Sequence, residues 1–178
     1  GRNHPDVMHI HATGALEYEA AKAKFEEYGL DGIENLCLTE YIYDMPVRMA
    51  AADLVVNRAG AMTLSELAVQ RKACLLIPSP YVADNHQYKN ALVYANSGAA
   101  VLIEEKDLTA KKLVEEIDKI LYSPSKLAEM SENMKKEATS AHGFIVRERA
   151  HVEIHGMTEV LSFDEMSVAL ATTSGAML

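Results

Sequence analysis

Residues 57–66, with the sequence NRAGAMTLSE, contain the side chains and the turn best suited to binding a phosphorylated ligand. They follow residues 52–56, a short apolar run whose β-branched content is typical of a buried parallel strand. Gly60 opens a tight turn, and Thr63 and Glu66 have the spacing of a helix capping box. The segment therefore predicts a strand, a small-residue turn and a helix N-terminus.

This connection has a predictable chemistry. In an α/β protein, free backbone N–H groups and the positive end of the helix dipole lie at the carboxyl edge of the sheet, where phosphates bind well. A carboxylate one turn into the helix, such as Glu66, can accept hydrogen bonds from ribose hydroxyls. The alternative is a purely structural connection in which Glu66 serves only the helix cap.

A second polar segment, residues 84–91, follows the loop at residues 77–80 and starts another predicted helix. Gln87 and Asn90 are three positions apart, so both side chains can face one ligand. Their amides donate and accept hydrogen bonds, which suits sugar hydroxyls. His86 either belongs to the same site or is a surface residue at the helix start.

The composition restricts the classes of partner. The chain has 178 residues, a formal net charge of −9 and no basic stripe, which argues against a nucleic-acid-binding surface. No apolar run approaches the ~20 residues that span a bilayer. Cys37 and Cys74 lie in apolar, strand-like runs and are predicted to be buried free thiols in a reducing compartment.

The histidines do not form a recognisable metal site. His9 and His11 share a face of one predicted strand, His151 and His155 share a face of another, and neither pair has a third ligand at a suitable spacing. The sequence also contains neither a nucleophile elbow nor a Walker-type phosphate loop. We therefore predict no metal and no cofactor, and we identify no catalytic residue.

Strand-like and helix-like segments alternate along the first four-fifths of the chain. The predicted strands are residues 7–11, 35–38, 54–56, 74–77 and 100–103, and the predicted helices are residues 16–28, 45–51, 65–70, 86–97, 109–121 and 125–140. This alternation predicts an α/β fold with a parallel sheet that helices cover on both faces.

Three segments together, residues 53–66, 77–80 and 84–91, resemble the MurG family. Members of that family are UDP-N-acetylglucosamine transferases that act on lipid-linked muramyl-pentapeptide in peptidoglycan synthesis. The resemblance covers about residues 4–142 and corresponds to the family's C-terminal, nucleotide-sugar-binding domain. It implies a truncated Rossmann-like parallel sheet with flanking helices, the C-terminal half of a GT-B glycosyltransferase, incomplete at its N-terminus.

The resemblance also implies a donor-binding site. Ile42 would read the uracil edge through its backbone with Met45 beside the ring, and the turn before Glu66 would hold the diphosphate. Glu66 would bind the ribose, and the amide side chains would contact the sugar. The full predicted set is Ile42, Met45, Arg58, Gly60, Ala61, Met62, Thr63, Leu64, Ser65, Glu66, His86, Gln87 and Asn90.

Two of these roles have alternatives that the residues alone leave open. Ile42 can simply fill a hydrophobic gap, and Arg58 can form a surface ion pair instead of adding positive charge near the diphosphate. The sequence also departs from the family at residues 71–73, which read Arg-Lys-Ala where many relatives have a Gly-x-Pro turn. This departure puts the geometry of that turn in question.

The implied activity is the inverting transfer of N-acetylglucosamine from UDP-N-acetylglucosamine to the C4 hydroxyl of the lipid-linked acceptor. The intact enzyme would work on the cytoplasmic face of the cell membrane, bound peripherally. No metal need be assumed, because helix dipoles and hydrogen-bond donors can stabilise the leaving diphosphate. The family's acceptor loop and proposed base lie in an N-terminal domain that is not recognisable here, so we expect this chain alone to be inactive.

The pattern changes near residue 143. Residues 152–155 and 160–163 are predicted strands with Gly156 in the turn between them, and residues 172–175 are turn-like. The segments RAHVEIHG and EVLSFD resemble the opening of the YabP/YqfC sporulation proteins. We therefore predict a donor-binding domain at residues 1–142 and an atypical β-rich tail at residues 143–178, which is either a fused segment or a divergent edge hairpin.

Two rival functions remain open at this point. The chain can be a binding module that holds UDP or a UDP-sugar without turnover. It can also be a sporulation-related fusion or interaction protein in which the transferase part is vestigial.

Overall fold

A computed structural model describes residues 4–140, 144–147, 151–154, 157–163, 168–172 and 175–177. The chain divides into two compact units, Gly1–Ala51 and Ala52–Leu178. Both contain the parallel strand pairing that the alternating sequence pattern predicts.

The first unit is a strand–helix–strand–helix segment. Its elements are β1 (His9–Ala12), α1 (Ala15–Glu27), β2 (Leu36–Thr39) and α2 (Met45–Ala51). The two strands are parallel, with His9 opposite Leu36. Gly14, directly before α1, has φ 76° and ψ 162°, a conformation that only glycine adopts readily. All four predicted elements of this unit are therefore present, with ends shifted by at most two residues.

Burial in the first unit is sparse. Among residues 4–51, Met49 alone is buried, and every other side chain is half-buried or exposed. Three of the four residues of β1 are exposed, so the prediction of a sheet covered on both faces is wrong for this strand. Cys37 is also exposed, which corrects the prediction of a buried thiol. The reason is alternation: Cys37 lies on the opposite face of β2 from the half-buried Leu36 and Leu38.

The second unit holds a three-stranded parallel sheet in the order β3-β4-β5. Its elements up to residue 140 are β3 (Leu54–Asn57), α3 (Ala61–Val69), β4 (Ala73–Leu76), α4 (His86–Asn96), β5 (Ala100–Leu102), α5 (Ala110–Leu121) and α6 (Pro124–Ser140). Short 3-10 helices lie at Ala83–Asn85 and Glu105–Asp107. All four residues of the central strand β4 are buried, as expected for a strand covered on both faces.

Two buried clusters of this unit lie on the side of β4 that faces α5 and α6. Leu75, Ile77 and Ile103 form one buried cluster, against which Leu113 and Ile117 of α5 pack. Ala73, Ile120 and Met130 form a second buried cluster, against which Leu54, Val101 and Leu127 pack. Cys74, on the opposite side of β4, is fully buried, and burial raises the pKa of its thiol to about 12. The predicted buried thiol is therefore confirmed at this position.

The turn at residues 71–73 keeps the geometry of a glycine turn without a glycine. Arg71 has φ 54°, in the left-handed region. Its N–H donates to the carbonyl of Ala68 and the N–H of Lys72 donates to the carbonyl of Leu67, at 3.1 and 3.0 Å, which is a Schellman end for α3. The sequence departure therefore changes the residue in the turn and leaves its hydrogen-bond pattern in place.

Residues beyond 143 include antiparallel strands, as the β-rich pattern predicts. The strands β6 (Phe144–Arg147) and β7 (His151–Ile154) pair with each other. The strands β8 (Met157–Phe163), β9 (Val168–Thr172) and β10 (Gly175–Met177) form a second sheet in the order β10-β9-β8. The two predicted strands, β7 and β8, thus pair with other strands and not with each other. The predicted turn residue Gly156, the residues 173–174 of the second predicted turn and the predicted strand end His155 lie outside the described residues.

Candidate functional site

The three strands of the second unit end at one edge of the sheet. Because they are parallel, the residues that follow Asn57, Leu76 and Leu102 are the carboxyl-edge loops of β3, β4 and β5. In open α/β sheets this edge is where ligands bind. Most of the predicted site residues lie in these loops or in the helices that follow them.

Helix α3 begins at Ala61, and its N-cap is Gly60, with φ −70° and ψ 140°. Thr63 is thus the third residue of the helix, and no side chain caps the helix start. The predicted capping box of Thr63 and Glu66 is therefore wrong. The extended conformation of Gly60 lets the helix start one turn earlier than the Thr-x-x-Glu spacing indicates, which leaves Glu66 inside the second turn.

The earlier helix start leaves the first backbone N–H groups of α3 without partners inside the helix, as the sequence predicts for this turn. The first intrahelical N–H is that of Leu64, which donates to the carbonyl of Gly60 at 3.0 Å. By helix geometry, the N–H groups of Ala61, Met62 and Thr63 have no carbonyl one turn back to bind. Three donors and the positive helix end therefore lie together at the carboxyl edge of the sheet.

The side chains of α3 divide into a buried and an exposed set. Leu64 is 2% exposed and belongs to the core, so we assign it to packing and not to ligand contact. The hydroxyl of Ser65 donates to the carbonyl of Ala61 at 3.0 Å. Met62 and Glu66 are exposed. The carboxylate of Glu66 is thus accessible, one turn beyond the free N–H groups.

No atom of the described residues occupies the space next to Gly60 into which a side chain would extend. A Cβ atom built on this residue has no neighbour within 4 Å, and its φ is one that any residue adopts. Neither backbone conformation nor packing within the described residues therefore requires a glycine here. Glycine is tolerated at helix N-caps in general, and it also allows a ligand to approach the backbone closely.

The guanidinium of Arg58 is held by the two neighbouring loops, although half of the side chain stays exposed. Its guanidinium forms an ion pair with Glu105, which follows β5, and donates to the carbonyl of Ile77, which follows β4, at 3.2 Å. The ion-pair alternative considered for this residue is therefore what the structure shows. The contact joins residues 47 positions apart, so no local sequence signal could have identified the partner.

The amide side chains at the start of α4 hold the neighbouring loops. Gln87 accepts a hydrogen bond from the backbone N–H of Ser79 through Oε1, at 2.9 Å. Asn90 donates from Nδ2 to the carbonyl of Ala59, at 3.4 Å. These contacts orient both amides: Gln87 keeps its NH₂ group as a donor, and Asn90 keeps its oxygen as an acceptor.

The approach to α4 has an unusual backbone. Asp84 and Asn85 are consecutive residues with φ 51° and 52°, in the left-handed region that Asp and Asn tolerate better than most residues. His86 follows as the first residue of the helix, with an exposed side chain. The structure thus brings His86 to the same helix start as Gln87, as predicted from sequence.

Ile42 and Met45 belong to the first unit. Ile42 is half-buried in the loop between β2 and α2, and Met45 is the first residue of α2. Thr39 fixes the loop by donating from Oγ1 to the carbonyl of Tyr41 at 3.0 Å. Tyr41 and Tyr43 flank Ile42, with ring centroids 5.2 Å apart and an edge-to-face orientation. Sequence reasoning missed this exposed aromatic pair, although the Tyr-x-Tyr spacing after a strand was a usable signal.

The described part of the chain contains neither a cluster of metal-ligating side chains nor a membrane-spanning helix. In that part, no three His, Cys, Asp or Glu residues are grouped as metal ligands would be. Its helices also include none with the length and apolar character needed to cross a membrane.

Comparison with known proteins identifies the family. The family model for the glycosyltransferase family 28 C-terminal domain matches residues 2–143. The chain belongs to this family. The match includes the Gly60 turn, Glu66 and the start of α4, so the residues that form the candidate site lie within the matched domain.

Named relatives agree with this assignment. A UDP-N-acetylglucosamine–N-acetylmuramyl-(pentapeptide) pyrophosphoryl-undecaprenol N-acetylglucosamine transferase of Thermoanaerobacter sp. (strain X514) is 44% identical over 124 residues, covering 70% of this chain and 34% of that protein. The enzyme of that name from Bacillus cytotoxicus is 42% identical over 130 residues, covering 73% of this chain and 35% of that protein. The chain thus spans about a third of the length of the curated relatives it matches.

Solved structures support the fold. The crystal structure of Acinetobacter baumannii MurG matches with a TM-score of 0.60 and 30% identity, covering 72% of this chain and 36% of that chain. The glycosyltransferase VinC, solved in complex with DTDP, matches with a TM-score of 0.51 at 21% identity, covering 65% and 28% of the two chains, and supports the fold alone. The α/β fold with parallel strands is that of the C-terminal half of a GT-B glycosyltransferase, which confirms the predicted fold class.

Proposed function

We propose that this chain is the donor-binding domain of an N-acetylglucosaminyltransferase that uses UDP-N-acetylglucosamine. The observation that carries the proposal is the start of α3. There, the free N–H groups of Ala61, Met62 and Thr63 lie next to an unobstructed Gly60, with the exposed Glu66 one turn further on.

The roles follow from the chemistry of these groups. The three N–H groups and the helix dipole favour a diphosphate, because both stabilise negative charge at a helix start. When it is ionised, the carboxylate of Glu66 accepts hydrogen bonds and donates none, which suits a pair of ribose hydroxyls. Ile42 and Met45 are proposed to hold the uracil, and the uncommitted amide groups of Gln87 and Asn90 to contact the sugar, with His86 beside them.

The whole reaction is proposed from the relatives. Their name describes transfer of N-acetylglucosamine to a pyrophosphoryl-undecaprenol-linked N-acetylmuramyl-pentapeptide. We propose the same donor and lipid-linked acceptor for the protein to which this domain belongs, in peptidoglycan synthesis. Because that acceptor is carried on a lipid, we also propose peripheral association with the cytoplasmic face of the cell membrane.

The test is the affinity of the chain for UDP before and after Glu66→Ala. We expect a loss of about 1.5–3 kcal/mol in binding free energy, the range for hydrogen bonds to a charged group. Because Glu66 does not cap α3, its substitution should change the free energy of unfolding by no more than about 0.5 kcal/mol. Calorimetric titration and urea unfolding of both proteins measure the two quantities.

Glu129→Ala is the matched control. Glu129 is an exposed carboxylate on α6 that pairs with Lys126 at 3.9 Å, within its own helix. It should leave UDP affinity unchanged. If a folded Glu66→Ala protein binds UDP as tightly as the parent chain, the ribose role is wrong, and if the parent chain does not bind UDP the proposed function itself is wrong.

A further inference from the structure

Arg58 connects all three strand ends of the second unit. It follows β3 directly, its ion-pair partner Glu105 lies in the short helix after β5, and the carbonyl of Ile77 that it binds follows β4. Arg58 and Glu105 are 51% and 31% exposed, so water only partly screens the pair. Two contacts, in the segments that follow β4 and β5, therefore fix one guanidinium group.

The residue after Arg58 is held as well. Ala59 is fully buried, and its carbonyl accepts the hydrogen bond from Asn90 of α4. Asn57 also accepts from the N–H of Arg58 through Oδ1, at 2.6 Å. The segment between β3 and Gly60 is thus held by the side chain of Asn57, at the end of β3, and by the side chain of Asn90, on α4.

We propose that Arg58 is a positioning residue of the donor site and not a ligand of the diphosphate. We call the two contacts of Arg58, with Glu105 and with the carbonyl of Ile77, the edge brace. The edge brace sets the position of Gly60 and of the first N–H groups of α3, and so preorganises the donors that bind the ligand. This inference rests on the proposed function.

The two roles predict opposite effects of removing the charge on Glu105. If Arg58 bound phosphate, Glu105→Gln would remove a competing anion and leave UDP binding unchanged or tighter. If the edge brace positions the turn, Glu105→Gln should weaken UDP binding about two- to five-fold, the effect of losing one partly exposed ion pair. Arg58→Met should weaken binding by a similar factor.

The double variant Arg58→Met with Glu105→Gln separates the roles further. Either single substitution breaks the ion pair, so the second substitution has no ion pair left to remove. The double variant should therefore bind UDP no more weakly than Arg58→Met alone. Glu104→Gln is the matched control, because Glu104 is adjacent in sequence and pairs with Lys106 at 3.0 Å, within the same loop. It removes the same charge without touching the edge brace and should not weaken UDP binding.

A second measurement does not depend on the ligand. In two-dimensional NMR spectra of the ligand-free chain, Glu105→Gln should shift the backbone amide signals of Gly60, Ala61 and Met62, and Glu104→Gln should not. Tighter or unchanged UDP binding by Glu105→Gln, or unshifted amides, would overturn the edge brace. If the parent chain fails to bind UDP, the proposed function is wrong, and the amide shifts alone then decide whether the edge brace positions the turn.

Discussion

Gly60 is the residue whose identity the proposed function explains most directly. Its φ of −70° suits any amino acid, and a Cβ atom there meets nothing within 4 Å. The protein alone therefore does not explain why a glycine occupies this position. A phosphate against the backbone would explain it, because it would fill the space that a methyl group would take.

Gly60→Ala should separate binding from folding. The reduced freedom of the unfolded chain and the poorer N-cap offset each other, so the free energy of unfolding should change by no more than about 0.5 kcal/mol. The affinity for UDP should fall by about 1–3 kcal/mol, the cost of forcing an extra methyl into a close contact. Titration calorimetry and thermal unfolding measure both.

Gly60→Ser is the companion variant. It adds the same Cβ atom and a hydroxyl that can cap α3, so it should be more stable than Gly60→Ala by about 1 kcal/mol and still bind UDP weakly. Retained UDP affinity in both variants would show that no ligand approaches the Gly60 backbone.

Gln87 and Asn90 show how a predicted ligand residue can also have a structural role. Each uses one end of its amide to hold a carboxyl-edge loop, at Ser79 and at Ala59. Their free ends have opposite polarity, a donor from Gln87 and an acceptor from Asn90. Truncating either residue would therefore disturb a loop as well as a ligand contact, which makes simple alanine variants poor probes of sugar binding.

At the scale of elements, the end of α3 is held at a cost. Arg71 occupies a left-handed position that disfavours non-glycine residues by about 1–2 kcal/mol. The Schellman hydrogen bonds and the bond from the Ser131 hydroxyl to the carbonyl of Arg71, at 2.8 Å, hold it there. Tertiary contact with α6 therefore supports a turn whose own residue is unfavourable.

Arg71→Gly should stabilise the chain. The substitution removes the cost of the left-handed conformation. Part of this gain is lost because glycine has more backbone entropy in the unfolded chain, so the free energy of unfolding should rise by about 0.5–1 kcal/mol. Gln70→Gly is the control one residue earlier, where φ is −86° and glycine should cost about 0.5–1 kcal/mol instead. Urea unfolding of the three proteins gives the sign, and a destabilised Arg71→Gly would contradict the account.

At the scale of the whole molecule, the two units differ in how much they bury. The second unit has a closed set of buried side chains around β4, whereas Met49 is the one buried residue among residues 4–51. Segments with few buried apolar contacts open at low free-energy cost. We therefore expect the first unit to be the less protected part of the described chain.

The two cysteines report on this difference, since Cys37 is exposed in the first unit and Cys74 is buried in the second. Burial raises the pKa of the Cys74 thiol to about 12, so almost none of it is ionised at pH 8. Cys37 should react with a thiol reagent much faster than Cys74, which becomes accessible only as the second unit opens. Mass spectrometry of labelled peptides counts each site.

Labelling in denaturant provides the control, because both thiols should then react at similar rates. Fast reaction of Cys74 in the native chain would show that the second unit opens readily. Slow reaction of Cys37 would show that the first unit is protected by contacts beyond its own sparse core.

The division at residue 142 stays a prediction. The family match ends at residue 143 and antiparallel strands begin at β6, which supports a separate β-rich tail. The resemblance of this tail to YabP/YqfC proteins, and its origin as a fusion or a divergent hairpin, also remain predictions.

Up to residue 140, the sequence by itself determined which strands and α-helices form and in what order, whereas β6, β9 and β10 were not predicted. Local periodicity and helix-stop signals are enough for that, because they depend on residues within one or two turns of each other. The motif around Gly60 and Glu66 likewise indicated the carboxyl-edge site, and the fold class followed from the alternation of strands and helices.

Only the tertiary structure decided how far these elements are buried and which side chains meet. The start of α3 at Ala61, the exposure of Cys37 and the pairing of Arg58 with Glu105 all differ from, or go beyond, what spacing alone predicts. The physical reason is that burial and long-range pairing depend on what packs against a residue from distant parts of the chain, and local sequence carries little information about that neighbour.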